Sequence, residues 1–129
     1  MLMNPSDLVA KAKATIRECS VADAKDCVHA DTLLIDVREP AEFQRGHIPG
    51  AVLLPRGMIE FDMHKVIDQV RQNRDIPQED TEIVLYCGTG GRSALAARVV
   101  EEIGYRKVKS MSGGIVAWAE AGLPVTIPD

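Results

Sequence analysis

The chain has 129 residues, 46% of them hydrophobic and 26% charged, and a net charge of -4. That is the size of one domain able to bury a core without disulfides or metal. The long polar tracts of a disordered chain are missing, and interspersed acidic and basic residues leave no basic face for nucleic acid phosphates.

The opening MLMNPSDLVAKAKATIRECS carries Asp7 early and no apolar stretch long enough for a signal peptide or a membrane span. A cytoplasmic location and no membrane partner are therefore expected. Asn4 as a cap and Pro5 at the first position predict a helix over residues 5 to 17, with Leu8, Val9, Ala12 and Ile16 on one face. Residues 1–20 read as a helical extension ahead of a core over 33–123, all in one domain spanning 1–129. Ser20 resembles the cap of a second short helix, VADAKDCVH.

TLLIDVR reads as a buried strand ending near Asp36. EPAEFQRGHIPGA, rich in Pro, Gly and charge, reads as a loop, and AVLLP is a second short apolar run. From Met58 to about Asn73, Ile59, Met63, Val66, Ile67 and Val70 recur at helical spacing until DIPQED breaks the pattern. EIVLY, residues 82–86, is a further strand. After the glycine loop, Leu95, Ala96, Val99, Val100 and Ile103 form a helical stripe closed by Gly104. KVKSM is a short strand, and GGIVAWAEAG a last helix ended by Gly122 and Pro124. Strands alternating with helices predict an α/β fold, a mostly parallel sheet covered on both faces. Ligands of such sheets sit at the carboxyl ends of the strands, which puts Asp36 and Cys87 on the same edge.

The segment CGTGGRS carries the chemistry. Gly88, Gly90 and Gly91 allow positive φ, so successive N–H groups can converge on Cys87 at the positive end of the following helix, while Arg92 adds a fixed charge. Such surroundings favour thiolate over thiol. The alternative is a small buried hydrophobe in a tight turn. The succession of cysteine, glycine loop, arginine and helix favours the reactive thiol. Cys19 and Cys27 are too irregularly spaced with Cys87 for a disulfide framework and form no CxxC pair, so at least one thiol should be free. Both are read as structural, although either could in principle resolve a modified Cys87.

CGTGGRS, the upstream DVREPAEFQRGHIPGA and the downstream GGIVAW resemble, in that order, the active-site loop and flanking signatures of the rhodanese-like sulfurtransferases, over about Leu33 to Leu123. The resemblance implies a single α/β domain in which Cys87 is the nucleophile that carries sulfur as a persulfide, with Arg92 as the loop charge. Gly88, Thr89, Gly90, Gly91 and Ser93, with Arg38, are the implied substrate contacts. The implied reaction moves sulfane sulfur from thiosulfate or a low-molecular-weight persulfide to a thiol or cyanide, with no metal or organic cofactor. A protein-to-protein sulfur relay or regulatory binding module is the alternative. A cysteine-dependent phosphatase or arsenate reductase ranks third: four residues separate Cys87 from Arg92, whereas the related phosphatases have five and a wider cradle. Many thiosulfate-using members carry a basic residue just after the cysteine, where this chain has Gly88 and Thr89, so a dianionic donor should bind more weakly.

Around that loop, Asp36 is expected to pair with Arg92 or Arg38 and brace it, the alternative being an ordinary capping aspartate. His47 is expected to be hydrogen bonded in a turn, with Glu42 as its partner. His29 and His64 lie outside any motif. Trp118 is expected to bury its ring with Ile115 on one helical face. Met58 and Phe61 are read either as core or as an apolar rim to the pocket.

Overall fold

The computed structural model describes residues 1–27 and 31–129, the side chain of Cys27 excepted. The expected continuation of the second helix into Val28 and His29 lies outside the described residues. Among the described residues five parallel strands form one sheet: β1 (Arg17–Cys19), β2 (Leu33–Asp36), β3 (Val52–Leu53), β4 (Glu82–Tyr86) and β5 (Lys107–Met111), in the order β1-β5-β4-β2-β3. Among the described residues six α-helices accompany it: α1 (Pro5–Lys13), α2 (Val21–Cys27), α3 (Pro40–Arg45), α4 (Ile59–Val70), α5 (Gly91–Ile103) and α6 (Gly114–Glu120). The expected α/β class is observed.

The sheet divides the core in two because successive strand side chains face opposite ways. Ile35, Ile83 and Leu85 pack with Ile59, Met63 and Ile67 of α4 and Ala96, Ala97 and Val100 of α5. Leu34, Val84 and Tyr86 face the other way, against Ala24, Ile48, Met111 and Trp118. β4 is buried from Ile83 to Tyr86, so the run IVLY is apolar without alternation, as a central parallel strand requires.

Three segments differ from the sequence-based reading. The helix expected over residues 5 to 17 ends at Lys13, and Arg17–Cys19 forms the edge strand β1 through parallel pairing with β5. Asn4 does cap α1, its Oδ1 accepting from the Asp7 N–H at 2.9 Å. Within the expected loop EPAEFQRGHIPGA, residues Pro40–Arg45 form α3, started by Pro40 and by a capping box between Glu39 and Glu42. The helix expected from Met58 to Asn73 runs instead from Ile59 to Val70, where Arg71 turns extended. Ser20 caps α2 as expected, accepting from the Asp23 N–H at 3.1 Å.

The C-terminal tail is fixed by a two-way antiparallel bridge between His47 and Thr126, both N–H···O distances being 2.8 Å. Trp118 is buried, and its Nε1–H donates to the Pro124 carbonyl at 2.8 Å. Among the described residues no helix is long and apolar enough to cross a membrane.

Candidate active site

Parallel pairing sets Asp36 opposite Tyr86, and the Val37 N–H donates to the Tyr86 carbonyl at 3.0 Å. The ends of β2 and β4 are thereby level, and Cys87 leaves the central strand at the edge where Asp36 leaves its neighbour. From Cys87 the chain turns back over four residues into α5. Gly90 makes this turn with φ of 105°, a left-handed conformation that side chains resist. It is also packed: a Cβ there would lie 3.3 Å from the Gly113 nitrogen.

The turn aims donors at sulfur. Cys87 Sγ accepts from the Gly90 N–H at 3.1 Å and from the Ser93 N–H at 3.4 Å, and the Ser93 hydroxyl lies 3.6 Å away. That hydroxyl is held by the Ser110 hydroxyl at 2.8 Å, both residues being fully buried. Cys87 is 1% exposed, so burial pushes its thiol upward. The hydrogen bonds from the Ser93 amide and hydroxyl and from the Gly90 and Thr89 amides outweigh burial and leave it below the ordinary value. The result is a thiolate-favouring sulfur shielded from bulk water at the amino end of a 13-residue helix.

A second element completes the loop from below. Ile115 N–H donates to the Cys87 carbonyl at 2.9 Å, and Val116 N–H to the Gly88 carbonyl at 3.1 Å. These are amides of the first turn of α6, which have no partner inside their own helix. Gly114 permits the approach: a Cβ on it would fall inside contact distance of the Cys87 and Gly88 carbonyls, and its φ is 59°. The segment GGIVAW thus fastens the cysteine loop through backbone, a role its sequence does not announce beyond the paired glycines. On the other flank α1 packs along α5, with Val9 Cγ2 3.5 Å from where a Gly91 Cβ would stand.

The charged residues pair differently from the simplest expectation. Asp36 binds Arg38, one of its two expected partners: Oδ1 accepts from the Arg38 amide at 2.9 Å and from Nε at 3.0 Å, and Oδ2 accepts from Nη2 at 2.8 Å. Arg38 Nη2 also donates to the Gly46 carbonyl at 2.7 Å, and the pair is buried. Arg38 therefore faces inward, its Nε and Nη2 committed to holding the β2–α3 turn. Burial disfavours its charge, and Asp36 more than restores it. Tyr86 belongs to the same cluster: its hydroxyl accepts from the Ile48 N–H at 3.1 Å, and burial, then Asp36, push its ionisation far up.

Arg92 instead meets Glu42, with Nη1 2.7 Å from Oε1 and Nη2 3.0 Å from Oε2, a two-pronged pair joining α5 to α3. Hydrogen bonding to Arg92 first, against the opposing effect of burial and with help from the Glu39 amide, lowers Glu42 to about 2. Glu42 is thus not the partner of His47. That ring stacks on Phe43 with centroids 3.8 Å apart, and its Nδ1 donates to the Ile48 carbonyl at 2.9 Å, so the expected turn role holds with a different partner.

Beside the loop lies an open cavity of about 320 Å³ between α3 and α6, lined by Arg38, Glu42, Arg45 and Gly46 on one wall and Ile115, Val116, Ala119 and Val125 on the other. The cavity of about 330 Å³ at the amino ends of β4 and β5, next to Glu82 and Lys107, is at the opposite end of the sheet from Cys87. Met58 and Phe61, 43% and 80% exposed, are not core residues.

Comparison with known proteins agrees with this geometry. The chain is 37% identical over 99 residues to a sulfurtransferase of Allochromatium vinosum, which covers 77% of this chain and 82% of that protein. It is 41% identical over 91 residues to the probable adenylyltransferase/sulfurtransferase MoeZ of Mycobacterium tuberculosis, covering 70% of this chain and only 21% of that longer protein. A solved structure from Rhodopseudomonas palustris, described as a protein of unknown function and possible tyrosine phosphatase, superimposes with a TM-score of 0.80 at 34% identity, over 98% of this chain and 96% of that one. Residues 20–121 match the model of the rhodanese-like domain, and with sulfurtransferases among its relatives the chain belongs to the rhodanese-like domain family.

Proposed function

We propose that the protein is a sulfurtransferase in which Cys87 carries the sulfur. The observation that supports this most is the convergence of the Gly90 and Ser93 amides and the Ser93 hydroxyl on one sulfur atom. The Cys87 thiolate attacks the outer sulfur of a donor such as thiosulfate, forming the Cys87 Sγ–S bond as the donor S–S bond breaks and sulfite leaves with the electron pair. The persulfide's outer sulfur then passes to cyanide, giving thiocyanate, or to a thiol, and the thiolate returns. Negative charge stays on sulfur throughout, so fixed amides stabilise every state along the way. The cysteine itself holds the cargo, and the chemistry calls on no metal or organic cofactor. Gly88, Thr89 and Gly91 shape the loop, Arg92 holds it to α3, and Asp36 with Arg38 braces the neighbouring turn.

The phosphatase reading suggested by the Rhodopseudomonas palustris likeness is disfavoured by loop size. The amides at Gly90 and Ser93 are spent on the sulfur itself, and Arg92 is turned onto Glu42 rather than left open to a tetrahedral anion. A relay between proteins remains the second reading. It is favoured by the apolar wall of Val116 and Val125, 46% and 43% exposed, beside the loop, where an acceptor protein has surface to grip.

Thiocyanate formation from thiosulfate or glutathione persulfide with cyanide tests the proposal. Saturable turnover that vanishes in Cys87→Ser supports the enzyme. Loading of Cys87 without small-molecule turnover would favour the relay, and no loading from either donor would contradict the enzyme.

A further inference from the structure

Three arginines stand near the mouth of the site: Arg38, Arg45 and Arg92. Arg38 is neutralised by Asp36 and Arg92 by Glu42, while Arg45 has no ion-pair partner among the described residues. Of these three side chains, only Arg45 then offers a charge to a donor that no carboxylate among the described residues pairs. Glu42 is well fixed for this task. Its Oε1 also accepts from the Glu39 N–H at 3.1 Å as part of the α3 capping box, so the carboxylate is anchored to its helix and gripped at both oxygens by Arg92. It remains ionised far below neutral pH.

We propose that Glu42 is a specificity-determining residue, which neutralises Arg92 beside the Cys87 loop and so selects singly charged over doubly charged sulfur donors. This rests on the sulfur-transfer reading. Two donors isolate charge. Thiosulfate, a dianion, gives up its outer sulfur to the Cys87 thiolate and leaves as sulfite. Methanethiosulfonate, a monoanion, gives up its outer sulfur to the same thiolate and leaves as methanesulfinate. Each step forms one S–S bond, breaks one, and conserves charge.

The test pairs these donors with two alkylating reagents that need no sulfur transfer, anionic iodoacetate and neutral iodoacetamide, each followed at the Cys87 peptide by mass spectrometry. Removing one charge near a partly exposed site should change a rate ratio by about three- to tenfold, less as salt is added. Glu42→Gln is expected to raise the iodoacetate to iodoacetamide ratio, and the thiosulfate to methanethiosulfonate ratio in kcat/KM, by that amount. Glu42→Asp, which keeps the charge, should stay near the parent in both.

An alkylation ratio that Glu42→Gln leaves unchanged would overturn the inference, even if both rates fall together, because a purely structural Glu42 would do that. A shifted alkylation ratio with unshifted donor ratio would overturn the claim about donors. If the alkylation ratio shifts while the parent protein takes sulfur from neither donor, it is the sulfur-transfer reading that falls.

Discussion

The Ile115 amide and the Cys87 carbonyl, 2.9 Å apart, tie the first turn of α6 to the residue that follows β4. The contact fixes the peptide behind the Cys87 side chain, so the direction of the sulfur depends on a helix with no side chain in the loop. It exists only because Gly114 lacks a Cβ.

Gly114→Ala should therefore damage the site through backbone. Strain at positive φ and overlap with two carbonyls together predict a cost of about 2–4 kcal/mol. Urea denaturation would read the loss, and sulfur loading should fall with it. Gly122→Ala is the comparison: its φ is also positive, at 77°, but no atom lies within 4 Å of the added Cβ, so it should cost about 1 kcal/mol and leave loading intact.

Ser93→Ala removes the hydroxyl that faces the sulfur and leaves the Ser110 hydroxyl without its partner. Burial then gains on the remaining amides, and the Cys87 thiol should titrate at higher pH than in the parent. The rate of Cys87 alkylation by iodoacetamide against pH measures this. Its rise should move to higher pH, with a rate near neutrality lower by about tenfold, the usual worth of a hydrogen bond to a charged group. An unmoved profile would assign the effect to the Gly90 and Ser93 amides alone.

Two ion pairs of similar geometry should differ in weight because they differ in burial. Asp36 and Arg38 are 0% and 8% exposed in their side chains, whereas Glu42 and Arg92 are 29% and 42% exposed. Asp36→Ala leaves a buried guanidinium uncompensated and should cost about 3–5 kcal/mol. Arg92→Ala should cost about 1 kcal/mol or less, since water and salt screen that pair. Chemical denaturation of the two variants would show the contrast, and equal losses would contradict it.

The Glu42 pair also predicts a pH dependence. Its carboxyl lies at about 2 in the folded protein, below its ordinary value of 4.5. A lowered carboxylate stabilises the fold fully above the unfolded value, and that contribution disappears as pH falls through the folded one. The stability difference between the parent and Glu42→Gln should thus be constant above about pH 5 and shrink between 4.5 and 2. Urea midpoints measured across that range test it. A difference that persists unchanged to pH 2 would mean Glu42 acts through packing.

The sequence was most readable where signals are local. IVLY, buried on both faces, and the glycine loop between Cys87 and Arg92 place Cys87 at a strand end before a helix, and the structure has it there. Residues Arg17–Cys19 were missed because three residues, two of them exposed, carry no period; the pairing with β5 makes them a strand. PAEFQR reads as a loop because its proline and charges resemble punctuation, although Pro40 at the first position and the Glu39–Glu42 box are the available signal for a short helix. The Arg92–Glu42 pair spans 50 positions and crosses two helices, so no spacing rule points to it. The same holds for Ser93 and Ser110, and for the fastening of Gly88 by Val116, which involves backbone alone.

The most direct measurement is the intact mass of the reduced protein after brief exposure to thiosulfate and, separately, to glutathione persulfide, with Cys87→Ser alongside. Sulfur transfer through Cys87 predicts a gain of one sulfur atom that requires Cys87 and disappears on adding cyanide. A gain that persists in Cys87→Ser, or no gain with either donor, would contradict it.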